Sequence, residues 1–183
     1  MITPIIETDR IILRPLKISD AEVIFKSWTS DDDVAKYVSW PKHNSIQDTI
    51  GWLKSEEKSI LSETNYTFAF VLKEGNILFG SGGITYREDF GVFELGYNIM
   101  KKYWNKGLTT EAAKRIVEFA VQELKQTELL GRHADENTAS EKVLKKLGFV
   151  FYNDGYFKTI DGKREIKCKN YFLKIPYKNE VLK

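Results

Sequence analysis

Residues 103–112 read Tyr-Trp-Asn-Lys-Gly-Leu-Thr-Thr-Glu-Ala, and the chemistry this stretch offers lies in its backbone. It follows a strand-like run, residues 93–100, and leads into a strongly helical run that lasts to about Leu124. Strand, glycine-containing turn and helix start aim several free N–H groups and the positive end of a helix dipole at one point. A diphosphate is a common occupant of such a point. Three or four amides on a diphosphate would make charge-assisted bonds of roughly 1.5–3 kcal/mol each. The dipole adds only roughly 0.3–1 kcal/mol, so direct amide contacts dominate. Lys106 is either an added point charge or a solvated side chain. The spacing is neither GxxxxGK[ST] nor GxGxxG, which sets aside nucleoside-triphosphate and dinucleotide loops. The plain alternative is an ordinary strand-to-helix connection in which Gly107 supplies flexibility.

A second polar motif, Asn137-Thr138-Ala139-Ser140, opens another helix. Asn137 is a good N-cap and can also hydrogen-bond an amide-bearing arm, since its side chain both accepts and donates. Ser140 lies in the first turn, where its hydroxyl either is merely tolerated or faces a leaving group. Glu94 shares one strand face with Gly96 and Asn98, while Phe93, Leu95, Tyr97 and Ile99 share the other. A carboxylate there reads as a general base acting through water, or as a solvent-facing residue. His133 is a second candidate base, and His43 has no evident partner. Gly80-Ser81-Gly82-Gly83 has no following helix and reads as a strand edge rather than a nucleotide loop. Asp31-Asp32-Asp33 reads as a helix start; Lys167, Lys169 and Lys174 read as solvated strand positions.

Strands are expected at residues 10–15, 66–72, 77–86, 92–100, 129–134, 150–159 and 164–174, with helices capped by Ser19-Asp20 and running to about 28, at 31–38, from Ser45, from Thr109 or Thr110 to about 124, and at 137–147. Gly148 fits the left-handed position after the last helix, and Phe149 packs back on Leu144. One helical crossover separates residues 92–100 from 129–134, so these strands are parallel with a right-handed connection. Ligands of α/β folds bind beyond the carboxyl ends of parallel strands, where both polar motifs lie. The 183 residues suit a single α+β domain, and a net charge of +2 argues against a nucleic-acid partner. Cys168 is the one cysteine, which excludes an internal disulfide and disfavours a metal site. Without a secretion signal or a membrane-length apolar run, a soluble cytoplasmic protein is expected, monomer or homodimer.

The order of elements and these motifs resemble the GNAT N-acyltransferases, in particular the RimJ/RimL-like ribosomal-protein N-terminal acetyltransferases. The matching text is Glu7-Thr8-Asp9-Arg10-Ile11-Ile12-Leu13-Arg14-Pro15, Glu94-Leu95-Gly96-Tyr97, the 103–112 stretch, and residues 135–140 through Leu147-Gly148-Phe149. The resemblance implies a mostly antiparallel mixed sheet of about seven strands, parted between the fourth and fifth, with helices on both faces and acetyl-CoA in the opening. By matching positions, backbone around Ile99 and Met100 pairs with the pantetheine arm, and amides of Trp104, Asn105, Lys106, Gly107, Leu108 and Thr109 hold the pyrophosphate. Asn137 binds the arm and Ser140 sits near the sulfur, to return a proton to the thiolate. Trp104 stands where the family usually has Arg or Gln, and Thr109 where it has Gly or Ala.

The implied reaction is attack of a primary amine on the acetyl carbonyl in a ternary complex, with a backbone N–H near Ile99 or Met100 polarising that carbonyl. No strong base is evident. A peptide α-amine (pKa ~7.7–8.0) is easier to use as free base than lysine (~10.4) by roughly 3.4 kcal/mol, which favours a protein or peptide N-terminus. Trp28, Tyr37, Trp40 and Trp52 among Asp31–33 and Glu56-Glu57 form an aromatic and acidic acceptor opening, or belong to core and surface. Polyamines or antibiotics are alternative acceptors, and a non-catalytic acyl-CoA sensor is the alternative class.

Overall fold

A computed structural model describes residues 1–176. Eight strands form one sheet: β1 (Ile6–Glu7), β2 (Ile11–Pro15), β3 (Asn65–Leu72), β4 (Ile77–Arg87), β5 (Val92–Ile99), β6 (Glu128–Ala134), β7 (Val150–Lys158) and β8 (Glu165–Lys174). Their order is β1-β2-β3-β4-β5-β6-β8-β7. Every neighbouring pair is antiparallel except β5 and β6, which are parallel. The eighth strand, beyond the seven expected, is the two-residue β1, so the fourth and fifth strands of the sequence reading are β5 and β6.

The crossover between them is α4 (Leu108–Gln122), which buries Leu108, Ala112, Ala113, Ile116, Phe119 and Ala120 at near-helical spacing. Phe119 meets the rings of Tyr66 and Phe68 edge-on at 5.4 and 5.8 Å. α5 (Thr138–Lys146) ends as expected: Gly148 has φ +87° and the Phe149 amide donates to Leu144 at 3.1 Å. Leu144 and Phe149 pack against Gly131, where an added Cβ would lie 2.6 Å from Leu144. Among the described residues no helix is long and apolar enough to cross a membrane.

The early helices differ from expectation in three ways. Asp20 does not cap α1, because its carboxylate takes Arg14 in a fork (2.8 Å twice) and closes the preceding turn on the Lys17 amide. α1 (Ala21–Ile24) then widens into a π-turn over Phe25–Thr29, where the Thr29 and Ser30 hydroxyls donate back to carbonyls five residues earlier. The second helix shrinks to α2 (Asp32–Ala35), capped by Asp31. The third, α3 (Ile46–Ser59), starts at Ser45 as expected.

The Gly80–83 segment is not an edge. It lies in β4, paired on both sides, and its glycines let three strands approach: a Cβ on Gly83 would sit 1.9 Å from the Tyr66 carbonyl oxygen. Gly83→Ala is therefore expected to cost about 3 kcal/mol. Gly51→Ala, in α3 with nothing within 4 Å, is expected to add about 0.5–1 kcal/mol. Urea denaturation of both variants checks the contrast.

Candidate functional site

Only three pairs join β5 to β6: Phe93 with Leu129, Glu94 with Leu130, and Leu95 with Gly131. Beyond them β5 stays with β4 as far as Ile99 opposite Gly80. β6 stays with β8 as far as Ala134 opposite Cys168. The Met100 amide donates to Phe79 at 2.8 Å, so the backbone groups of Asn98 and Gly96 also face β4 by strand alternation. Those of Tyr97 and Ile99 face the opening.

The groups free in that opening differ from the expectation. Met100 offers none, since its N–H binds Phe79 and its carbonyl accepts from Tyr103 at 2.9 Å. The Ile99 carbonyl is capped by the Trp104 indole N–H at 3.1 Å. What remains is the N–H of Ile99 with the N–H and C=O of Tyr97. The Trp104 bond also accounts for tryptophan at this position: its donor fastens the turn to the end of β5.

The turn itself is open. Gly107 has φ +76°, Asn105 has φ +60°, and the first helical bond is Glu111 N–H to the Gly107 carbonyl. Among the described residues, the amides of Asn105, Lys106, Gly107, Leu108, Thr109 and Thr110 reach no intramolecular acceptor. Buried Leu108 pins the turn to the core, and a Cβ on Gly107 would meet only Arg10, at 3.8 Å. Six unpartnered donors at a helix start make an anion cradle. Lys106 lies over the Tyr103 ring at 5.3 Å, beside the cradle.

Arg10 is fixed there by Glu111, which accepts from the Arg10 side chain at 2.7 Å, the Arg10 amide at 3.1 Å and the Thr8 hydroxyl at 2.5 Å. Burial alone would push the Glu111 carboxyl up, but the Thr8 and Arg10 bonds outweigh it and hold the group below its usual range.

At the start of α5 the Asn137 side-chain oxygen caps the Ser140 amide at 3.1 Å, leaving its NH2 group for another partner. The Ser140 hydroxyl lies 2.9 Å from the Tyr97 phenol, which reaches across from β5. Burial pushes the Tyr97 phenol far above its ordinary value, with the Ser140 bond a smaller opposing effect. Tyr97 thus keeps its proton at neutral pH. Sequence reasoning gave it only a face; the signal was a tyrosine hydroxyl among apolar neighbours, which must find a partner.

Of the two candidate bases, Glu94 is committed to an arginine and His133 is buried away from it. Glu94 is gripped by Arg132 through two bonds of 2.9 and 2.7 Å, with Arg87 at 3.5 Å. Arg132 in turn lies beneath the rings of Phe90 and Phe157, at 5.5 and 5.6 Å. This network was missed, although alternation along β6 puts Arg132 on the face of Glu94. His133 is buried on the opposite face, with Nδ1 2.8 Å from the Ala134 carbonyl and Nε2 unpartnered. A carbonyl only accepts, so Nδ1 carries the proton.

On the Glu94 face the space before Gly96 is open. Beyond it lie Asn65, hydrogen-bonded to Thr85 at 2.7 Å, and Glu56, which accepts from Trp52 at 3.0 Å and Asn65 at 3.3 Å. His43 sits between Trp40 and Trp52. Trp28 is fully buried and leaves the acceptor list. Asp32 and Asp33 pair with Lys42 and Lys101. Lys167 and Lys174 stay largely in solvent, as expected, while pairing with Asp135 and Glu128; half-buried Lys169 also pairs with Asp135.

Residues 10–150 match the family model described as an acetyltransferase (GNAT) domain. The chain belongs to the GNAT acetyltransferase family. This acetyltransferase is 26% identical over 143 residues to the N-acetyltransferase p20 of Bacillus licheniformis, covering 78% of this chain and 80% of that one. A GNAT-family acetyltransferase structure from Bacillus anthracis superimposes with a TM-score of 0.78 at 27% identity, covering 93% of this chain and 98% of that one. The ribosomal-protein-S5-alanine acetyltransferase of Vibrio fischeri shares the fold at 19% identity, TM-score 0.78, covering 93% and 96%. The GNAT domain and fold make the enzyme an acetyl-CoA-dependent N-acetyltransferase.

The lowered Glu111 value stabilises the fold above the unfolded carboxylate range, and that stability is lost as pH falls through the folded value. Glu111→Gln is expected to cost about 1 kcal/mol at pH 7. The gap to the unsubstituted enzyme should close between about pH 5 and pH 3, as read by urea denaturation across pH.

Proposed function

We propose that this acetyltransferase modifies a protein or peptide N-terminal α-amine by direct attack in a ternary complex. The observation that carries this reading is the fork of Arg132 on Glu94, which occupies both oxygens of the carboxylate best placed on the acceptor face. With His133 buried on the other face, the acceptor must supply its own free base at neutral pH, which an α-amine does far better than lysine. The fold shared with a ribosomal-protein-S5-alanine acetyltransferase is in keeping with such an acceptor.

In this reading the turn amides from Asn105 to Thr110 hold the pyrophosphate, while the free Tyr97 groups and the Asn137 NH2 hold the arm. Acetyl-CoA supplies the activated acyl carbon. The Ile99 N–H polarises its carbonyl, in place of the engaged Met100 N–H. As the new C–N bond forms and the C–S bond breaks, Ser140 gives its proton to the sulfur and recovers one from Tyr97. Tyr97 is reprotonated by water, which also takes the proton lost by the amine.

Polyamines form a second reading, favoured by Glu56: among the described residues its carboxylate meets neutral donors and no cation. The decisive experiment follows free thiol on mixing acetyl-CoA with short peptides, with the same peptides blocked at the α-amine but bearing lysine, and with spermidine. Unblocked peptides are expected to react fastest; equal rates with blocked peptides would defeat the reading. Ser140→Ala is expected to lower kcat about 10- to 100-fold with little change in KM for acetyl-CoA. Tyr97→Phe should give a smaller loss on the same side of that split.

A further inference from the structure

The two edges of the sheet are unequal. One is β1, two residues long; the other is β7, nine residues long, with Val150, Phe151, Tyr152 and Tyr156 all exposed. A long edge rich in exposed apolar side chains is a template for pairing, and β7 contains no proline to blunt it.

Its backbone phase fixes how it can pair. The Thr159 amide donates to the Arg164 carbonyl, so Thr159, Phe157, Gly155 and Asn153 turn their backbone groups toward β8. Ladder bonds of β6 with β8 agree, since Asp135 N–H to Lys167 and Ile175 N–H to Thr127 give the odd residues of β8 to β6 and the even ones to β7. Asp154, Tyr156 and Lys158 therefore direct their N–H and C=O groups outward, from the free edge.

We propose that the Asp154–Lys158 part of β7 is the interface of a homodimer, pairing antiparallel with the same residues of a second copy about a twofold axis at Tyr156. Matching outward-facing groups allows only axes that set a residue opposite itself. The axis at Tyr156 sets Asp154 opposite Lys158 of the second copy, and Lys158 opposite its Asp154. Opposite charges directly across an antiparallel pair stabilise it, and like charges oppose it. Isologous contact of this kind closes on itself and joins the two sheets into one. The pairing also steadies the β7–β8 hairpin. That hairpin carries Phe157 onto Arg132 and docks on the end of α2 and the segment after it, through Ile160 N–H to Ser39 (2.7 Å) and through Arg164 to the Ala35 and Lys36 carbonyls.

The test is sedimentation velocity of the full chain over a concentration series. The unsubstituted protein is expected at twice its 21.2 kDa mass. Tyr156→Pro removes an outward N–H without touching the β8 ladder and should give a monomer. Asp154→Lys should weaken association at least tenfold, and Asp154→Lys combined with Lys158→Asp should restore it. Circular dichroism confirms that each variant is folded. A monomer at every concentration, a dimer unaffected by Tyr156→Pro, or a charge swap in folded protein that fails to restore association would each overturn the proposal.

Discussion

β5 and β6 are held together by three residue pairs and then each follows its other neighbour. A twisted sheet in which β5 keeps its register with β4, and β6 with β8, must open where the single parallel ladder is weakest. The opening leaves polar backbone groups of Tyr97 and Ile99 without partners, which in a buried place costs free energy. The structure recovers part of it, because the Trp104 indole takes the Ile99 carbonyl; the Tyr97 side chain separately bridges to Ser140 on α5. Leu144 and Phe149 hold α5 against Gly131, where any side chain would push it away. A strand edge, a cradle of amides and a pair of hydroxyls thus come to one place.

The opening also divides the chemistry by face. Ser140, Tyr97 and His133 lie toward α4 and α5. Glu94, Arg132, Gly96 and Asn98 lie on the other, with Glu56 and the aromatic cluster of Trp40, His43 and Trp52 beyond. In the proposed reaction, proton donation to the thiolate and reception of the amine would fall to different walls. Arg132 makes the second wall unusual. It turns the carboxylate expected to act as base into part of a half-buried ion pair, whose worth is rigidity at the base of the opening more than stability.

Much of this was legible in the chain. The turn at Gly107, the cap at Asn137, the stop at Gly148 and the crossover that makes β5 and β6 parallel all rest on local signals of short range. The resemblance carried by those motifs gave the parted sheet. What could not be read were pairings across the sheet. Nothing local says that Met100 spends its amide on Phe79, that Trp104 reaches back to Ile99, or that Arg132 meets Glu94 thirty-eight residues away. Asp20 misled for the same reason: a good capping residue in sequence was claimed by Arg14. The glycines of β4 read as an edge because crowding between strands leaves no trace in one strand's own pattern.

Amide hydrogen exchange, followed by NMR with and without coenzyme A, addresses the central claim most directly. Exchange should slow at Tyr97 and Ile99 and across residues 105–110, while Met100, already bonded to Phe79, changes little. Coenzyme A bound with no protection at Tyr97, Ile99 or the Gly107 turn would contradict the account.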